Sequence, residues 1–194
     1  MTQVIRHAPD PNLTHWPERV DLAAAFRWTA RMGMHEAVAN HFSLAVNDDG
    51  TRFLMNPAGR HFARLKASDL LEIDALAPST LARPGAPDPP AWGLPGARPR
   101  LVPHARGVMH VHSIHATVLA CLADSTLPAI DQNTATFFDR VVIDEGFGGL
   151  AFEEEGTRCA GLLGDPKRKV MVMGNHGILV IGADVADTFT RLYY

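Results

Sequence analysis

Short apolar strand patterns alternate with helical patterns along this chain, and this alternation restricts the fold more than any other feature. Strand patterns occupy residues 42–46, 52–55, 70–74, 107–112, 141–143, 169–173 and 178–181, and helical patterns occupy 17–32, 114–123, 131–139, 153–163 and the residues after 183. Residues 47–50 form a turn sequence, so the first two strands are predicted to make a hairpin. A hairpin among interleaved helices predicts a three-layer α/β/α sandwich with a central mixed, largely antiparallel sheet.

Length and charge limit the number of domains and the classes of partner. The 194 residues suit one domain over 17–194 after an N-terminal arm of residues 1–16, and the last helical pattern is still open at Tyr194, which indicates a truncated helix. A formal net charge of −3 provides no basic surface for nucleic acid. No apolar run approaches the roughly 18 residues of a membrane span. We therefore expect no nucleic-acid partner and no membrane partner.

Cysteine usage and the N-terminal sequence bear on the cellular compartment. Cys121 and Cys159 lie far apart in apolar surroundings, which indicates two buried thiols rather than a disulfide or a zinc knuckle. The first residues lack the apolar core of a signal peptide. Both features favour a cytoplasmic protein.

A proline-rich stretch separates the two halves of the chain. Residues 78–103 contain eight prolines and three glycines. Proline removes a backbone donor, so this stretch is neither a regular helix nor a central strand. We expect a long irregular excursion here, and excursions of this length within a compact domain are often functional.

Three histidines form the most informative constellation. His110 and His112 are two residues apart in an apolar strand pattern, so both imidazoles project from the same face of the strand. His176 lies between glycines in a turn joining two buried strands. Imidazole nitrogen is a good ligand for zinc, but hydrogen-bonded structural histidines have the same spacing. The spacing alone leaves both alternatives open, while Ile114 excludes the metallo-hydrolase pattern that requires an aspartate at that position.

Four motifs in series resemble the class II aldolase/adducin family, and in particular its bacterial adducin-like members. They are Asn40-His41-Phe42-Ser43, Asn56-Pro57-Ala58-Gly59 followed by Asp69-Leu70, His110-Val111-His112 with Ser113-Ile114-His115, and Asn175-His176-Gly177. The resemblance covers about residues 17–194. The paired histidines followed by a distant histidine–glycine are its most specific part.

The resemblance implies a metal site, a reaction and an assembly. Family members that bind a metal do so through positions that correspond to His110, His112 and His176, and the metal expected here is a divalent ion, zinc. The family's substrate-binding positions correspond to Asn40, Ser43 and Gly59. The implied reaction is metal-dependent carbon–carbon cleavage of a small hydroxy-carbonyl compound. The implied assembly is a homo-oligomer, a tetramer by resemblance, and His115 is left as a structural or supporting residue.

Two departures from the family pattern bear on the substrate and on proton transfer. The family's glutamate acid/base corresponds to Ala91, and the serines that hold phosphate correspond to Pro89-Pro90, which leaves Asp88 as the only nearby carboxylate. No tyrosine follows Pro128-Ala129-Ile130, where aldolase members have a proton donor. We therefore expect a substrate without phosphate. The alternatives are a non-catalytic adducin-like interaction module and an epimerase, dehydratase or decarboxylase on the same scaffold.

Overall fold

The computed structural model describes residues 10, 12–77, 86–87, 102–146 and 152–194, with the side chains of 152 and 153 excepted. Its helices are α1 (Trp16–Arg31), α2 (Ile114–Ala120), α3 (Gln132–Ala135), α4 (Phe152–Leu162) and α5 (Val185–Tyr193). Its strands are β1 (His41–Ala45), β2 (Arg52–Met55), β3 (Leu71–Asp74), β4 (Gly107–Val111), β5 (Val141–Asp144), β6 (Val170–Met173) and β7 (Gly177–Gly182). Two 3₁₀ helices, Phe62–Arg64 and Ala67–Asp69, connect β2 to β3.

The described strands form one mixed sheet in the order β3-β2-β1-β4-β7-β6-β5. Only the β5–β6 pair in this sheet is parallel, and every other neighbouring pair is antiparallel. Strand β4 lies between β1 and β7, and its His110 is opposite His41 of β1 and Leu179 of β7. The predicted mixed, largely antiparallel sheet is therefore confirmed.

Helices cover both faces of the sheet, because alternate residues of each strand project to opposite sides. On one face, Met109 and Val180 pack with residues of α1 and α5. On the other face, Val108 and Leu179 pack with Cys159 of α4. The fold is therefore a three-layer α/β/α sandwich, and His110 lies on the same face of β4 as Val108.

Three phenylalanines anchor the first strand and fix the direction of its side chains. The ring centroids of Phe26 in α1 and Phe42 in β1 are 4.6 Å apart, and the Phe62 ring lies 4.6 Å from Phe26 and 5.0 Å from Phe42. All three are fully buried, and burial of one such side chain stabilises the fold by roughly 1.5–3 kcal/mol. Because Phe42 points into this cluster, its neighbour His41 projects from the opposite face, where His110 lies.

Several local expectations need correction or lie outside the described residues. The helix expected over 131–139 is confined to Gln132–Ala135. Asp131 caps it as predicted, but a chain of turns follows and Asp139 adopts a left-handed φ of 56°. Cys159 is buried as expected, whereas Cys121 is exposed. Most of the proline-rich stretch and of the N-terminal arm falls outside the described residues. In the part of the chain that is described, no helix combines the length and apolarity of a membrane span.

Candidate metal centre

Two backbone features bring the three predicted histidines together. His110 is in β4 and His112 directly follows it, so both rings project from one face, while His176 occupies the turn between β6 and β7. The ring centroids of the three histidines are 4.7, 4.7 and 4.8 Å apart. One nitrogen of each ring lies within 4.8 Å of the others. The sheet thus brings two neighbouring histidines and a third that is distant in the sequence into one compact cluster.

A glycine in the turn allows the close approach. A Cβ at position 177 would lie 2.6 Å from the carbonyl oxygen of Val111 and 2.9 Å from Cδ2 of His112. No side chain can occupy that space without moving the strand or the ring. Gly177 therefore lets the turn that carries His176 lie directly against the end of β4.

Hydrogen bonds fix which nitrogen of each strand histidine faces the cluster. His110 Nδ1 lies 3.0 Å from the carbonyl oxygen of Ile178, and His112 Nδ1 lies 2.6 Å from Oε2 of Glu36. A carbonyl and a carboxylate only accept hydrogen bonds, so both Nδ1 atoms must donate. In a neutral imidazole the other nitrogen, Nε2, then carries a lone pair. This assignment of protons follows from the hydrogen-bond network.

The two lone pairs face each other, and this arrangement fits a bound cation. The Nε2 atoms of His110 and His112 are 2.8 Å apart. Two acceptors at that distance repel unless a proton or a metal ion lies between them. A proton can bridge only two nitrogens, whereas a metal ion can bind these two and His176 together. Nitrogen ligands of a tetrahedral zinc are about 3.4 Å apart, so small ring rotations would suffice.

Burial keeps His110 and His176 uncharged and therefore able to bind a cation. Removal from water lowers the pKa of His110 well below its usual value, and the neighbouring His41, His112 and His176 lower it further. Burial and His112 lower the pKa of His176 to about 4, against the opposing influence of Asp144 and Glu36. Near neutral pH these two rings are neutral and their lone pairs are available.

His41 is a fourth imidazole beside the cluster. Its ring centroid lies 4.9 Å from that of His110 across the β1–β4 pair. Burial lowers its pKa to about 3, and His112 and His176 contribute to the shift. His41 is not one of the three residues whose nitrogen atoms converge, so it forms a neutral wall of the site. The sequence placed it beside Asn40 but offered no sign of its strand register.

Glu36 is the residue that the sequence analysis missed. It lies in the turn between α1 and β1, and its carboxylate contacts His112. The backbone N–H of Glu36 donates to Oδ1 of Asn40 at 2.7 Å, and its carbonyl accepts from Ala39 at 3.0 Å. No spacing rule connects positions 36 and 112. The one available signal was an acidic residue four positions before Asn40.

Asn40 and Ser43, two predicted substrate-binding residues, lie buried near the cluster. Asn40 directly precedes β1, and Ser43 is two residues beyond His41 on the same face of that strand. Within the described part of the chain, Nδ2 of Asn40 and Oγ of Ser43 have no hydrogen-bond partner. Buried polar atoms are rarely left unpaired, so both groups are candidates to bind a ligand.

The other predicted positions lie elsewhere. Gly59 is in the loop after β2 at a φ of 69°, with open space where a side chain would start. His115 lines a cavity of about 610 Å³ beside Leu119 and Leu127, on the sheet face opposite the cluster. Asp88 and Ala91 lie outside the described residues, so their roles stay predictions.

Comparisons of the sequence with known proteins identify its family. The family model described as "Class II Aldolase and Adducin N-terminal domain" matches residues 20–194. A Pseudomonas aeruginosa protein provisionally named an aldolase class 2 protein is 29% identical over 180 residues, which are 92% of this chain and 67% of that protein. Rat alpha-adducin is 26% identical over 90% of this chain and 24% of its own length.

Solved structures show the same fold. An aldolase II superfamily protein from Pseudomonas syringae superposes with a TM-score of 0.82 and 27% identity over 95% of this chain and 73% of that one. L-fuculose-1-phosphate aldolase from Thermus thermophilus superposes with a TM-score of 0.72 over 90% of this chain and 89% of its own, at 23% identity. Because the family model matches nearly all of the sequence, the chain belongs to the class II aldolase and adducin family.

Proposed function

We propose that this protein is a metal-dependent lyase of the aldolase type, acting on a small hydroxy-carbonyl substrate without phosphate. The observation that carries the proposal is the pair of Nε2 atoms of His110 and His112, which face each other at 2.8 Å with His176 beside them. Family membership supports it, because solved relatives include L-fuculose 1-phosphate aldolases.

His110, His112 and His176 would hold the metal through their ring nitrogens. Three neutral imidazoles suit zinc and leave a position open for substrate. When bound, the metal supplies Lewis-acid stabilisation of negative charge on substrate oxygen atoms. The protein's contribution is to keep His110 and His176 neutral by burial and to fix His110 and His112 through Ile178 and Glu36.

Asn40 and Ser43 would orient the substrate. Asn40 Nδ2 can donate and Ser43 Oγ can both donate and accept, and both are buried without a partner in the described residues. Substrate hydroxyl and carbonyl oxygens would complete these hydrogen bonds. The alanine at 91 and the prolines at 89–90 supply neither a carboxylate nor the serine hydroxyls of phosphate-using relatives, which favours an unphosphorylated substrate.

We also infer that the protein assembles as a homo-oligomer, a tetramer by family resemblance. Exposed apolar side chains on α2 and just after its end support this, since Ile114, Val118 and Leu122 are 73%, 57% and 54% exposed. Light scattering of the purified protein is expected to give four times the mass of one chain.

The test combines metal analysis with a substrate panel. The protein is stripped of metal, reloaded with Zn²⁺, Mn²⁺ or Co²⁺, and assayed for cleavage, epimerisation and dehydration of hydroxy-ketones and hydroxy-acids. Cleavage that requires metal and is lost in His110→Asn is the expected result. Failure to bind metal contradicts the proposal, and one bound metal without turnover of any substrate favours an adducin-like interaction module instead.

A further inference from the structure

We propose that Glu36 is a positioning residue for the metal centre: through its hydrogen bond to His112 it orients that ring and holds its proton on Nδ1. This inference rests on the proposed metal site. Glu36 does not touch the ion in this role, because His112 stands between the carboxylate and the cluster. The contact joins residues 76 positions apart in the sequence.

The geometry of the contact is that of a carboxylate–histidine–metal arrangement. The Glu36 Oε2 to His112 Nδ1 distance is 2.6 Å, while Nε2 of the same ring lies 2.8 Å from Nε2 of His110. One nitrogen therefore faces the carboxylate and the other faces the cluster. An acceptor on the outer nitrogen fixes the tautomer, keeps the ring in place and raises its basicity as a ligand.

The two strand histidines are held by unequal acceptors. His110 donates to a backbone carbonyl that the β-sheet holds in place, whereas His112 lies just beyond β4 and donates to a side chain. A carboxylate is the stronger acceptor, because charge-assisted hydrogen bonds are roughly twice as strong as neutral ones. Glu36 thus supplies to His112 the restraint that the sheet supplies to His110.

The backbone of Glu36 is anchored even though its carboxylate is exposed. The Glu36 side chain is 64% exposed, so hydrophobic packing does not hold it. Its N–H donates to the side chain of Asn40, which is 2% exposed, and Nδ2 of Asn56 donates to the Asn40 carbonyl at 3.4 Å. Oδ1 of Asn56 in turn accepts from the N–H of Phe42 in β1. The first strand therefore sets the position from which Glu36 reaches His112.

The single negative charge of Glu36 also suits a site of neutral ligands. Three imidazoles offset none of the charge of a divalent ion, so a nearby carboxylate lowers the electrostatic cost of binding it. Among the described carboxylates, Glu36 lies within hydrogen-bond distance of one histidine of the cluster, His112. Removing its charge should weaken the affinity for metal without changing the number of ligands.

The experiment measures Zn²⁺ affinity by competition with a chromophoric chelator and records the visible spectrum of the Co²⁺ form. Glu36→Gln keeps the size and an acceptor oxygen, whereas Glu36→Ala removes both. Asp48→Asn is the control, because it deletes one negative charge from the exposed β1–β2 turn. We expect Zn²⁺ affinity to fall roughly 10- to 100-fold, more for Glu36→Ala than for Glu36→Gln. The Co²⁺ bands should keep their positions, and Asp48→Asn should bind as the wild type does.

Each contrary outcome identifies what failed. Wild-type protein that binds no Zn²⁺ overturns the metal site and this role with it. Wild-type binding with equal affinity in both Glu36 variants overturns only the role of Glu36. Co²⁺ bands that shift in the variants would make Glu36 a direct ligand, which also contradicts the proposal. A ¹⁵N NMR spectrum showing mixed tautomers of His112 in Glu36→Ala, but one tautomer in the wild type, would support it.

Discussion

Two histidine pairs in this protein make nearly the same atomic contact but have different chemistry. The Nε2 atoms of His110 and His112 are 2.8 Å apart, and those of His35 and His61 are 3.1 Å apart. In the second pair, Nδ1 of His61 accepts from the backbone N–H of Ala63. Its proton must therefore be on Nε2, which donates to His35 in an ordinary hydrogen bond.

The difference lies in the outer nitrogen of each ring. Both outer nitrogens of the His110–His112 pair face acceptors, so two lone pairs meet between the rings. One outer nitrogen of the His35–His61 pair faces a donor, so a proton is available between the rings. Distance alone does not distinguish a metal site from a hydrogen bond, because the outer partners decide it.

Substitution of one histidine in each pair should give the largest difference in Zn²⁺ affinity between the two pairs. His112→Gln removes a ligand, so Zn²⁺ affinity should fall by more than the roughly 10- to 100-fold that loss of an outer partner costs. His61→Gln is the matched control and should bind Zn²⁺ as the wild type does. Chelator competition measures both. Equal losses in the two variants would show that the pairs are not chemically distinct.

Lowering the pH should decrease the stability of the metal-free protein, because the buried histidines stay neutral in the folded state. The pKa of His176 is about 4 in the folded protein, below its ordinary value of 6.5, so between those values the unfolded chain binds a proton that the folded chain does not. The free energy of unfolding of the metal-free protein should therefore decrease as pH falls from 6.5 to 4. In His176→Asn that decrease should be smaller, by at most about 1.4 kcal/mol per pH unit. Urea titrations at several pH values measure the free energy of unfolding. An equal pH dependence in the wild type and in His176→Asn would contradict the lowered pKa of His176.

Tautomers should show the smallest but most direct difference. In metal-free protein at pH 7.5, ¹⁵N NMR is expected to find His110 protonated on Nδ1 and His61 protonated on Nε2. The opposite assignment for His110 would mean that its Nε2 is a donor, and the facing lone pairs would not exist.

Much of the fold follows from the sequence, because it depends on local patterns. The alternation of apolar residues predicted the strands, and Asn47–Gly50 predicted the hairpin whose partners are Ser43–Met55 and Leu44–Leu54. Pro17 near the start of α1 and Gly33 at a φ of 66° after its end mark that helix as expected. The helix predicted over 131–139 failed because a good cap at Asp131 starts a helix but cannot extend it.

The candidate site was only partly accessible to sequence reasoning. The spacing of His110 and His112 put two rings on one face, and the family resemblance added His176. Neither could reveal His41 or Glu36, because no local pattern connects them to the cluster. His41 reaches His110 through the β1–β4 register, and Glu36 reaches His112 through a turn held by a buried asparagine.

The sequence by itself determined the residue types and the periodicity: imidazoles that can bind a metal, and apolar alternation that makes a sheet with two covered faces. The tertiary structure alone decided which nitrogen of each ring faces the cluster. A ring's proton follows its strongest outer partner, and for these histidines that partner is Ile178 or Glu36, each more than sixty residues away along the chain. Only the assembled sheet brings such partners within hydrogen-bond distance.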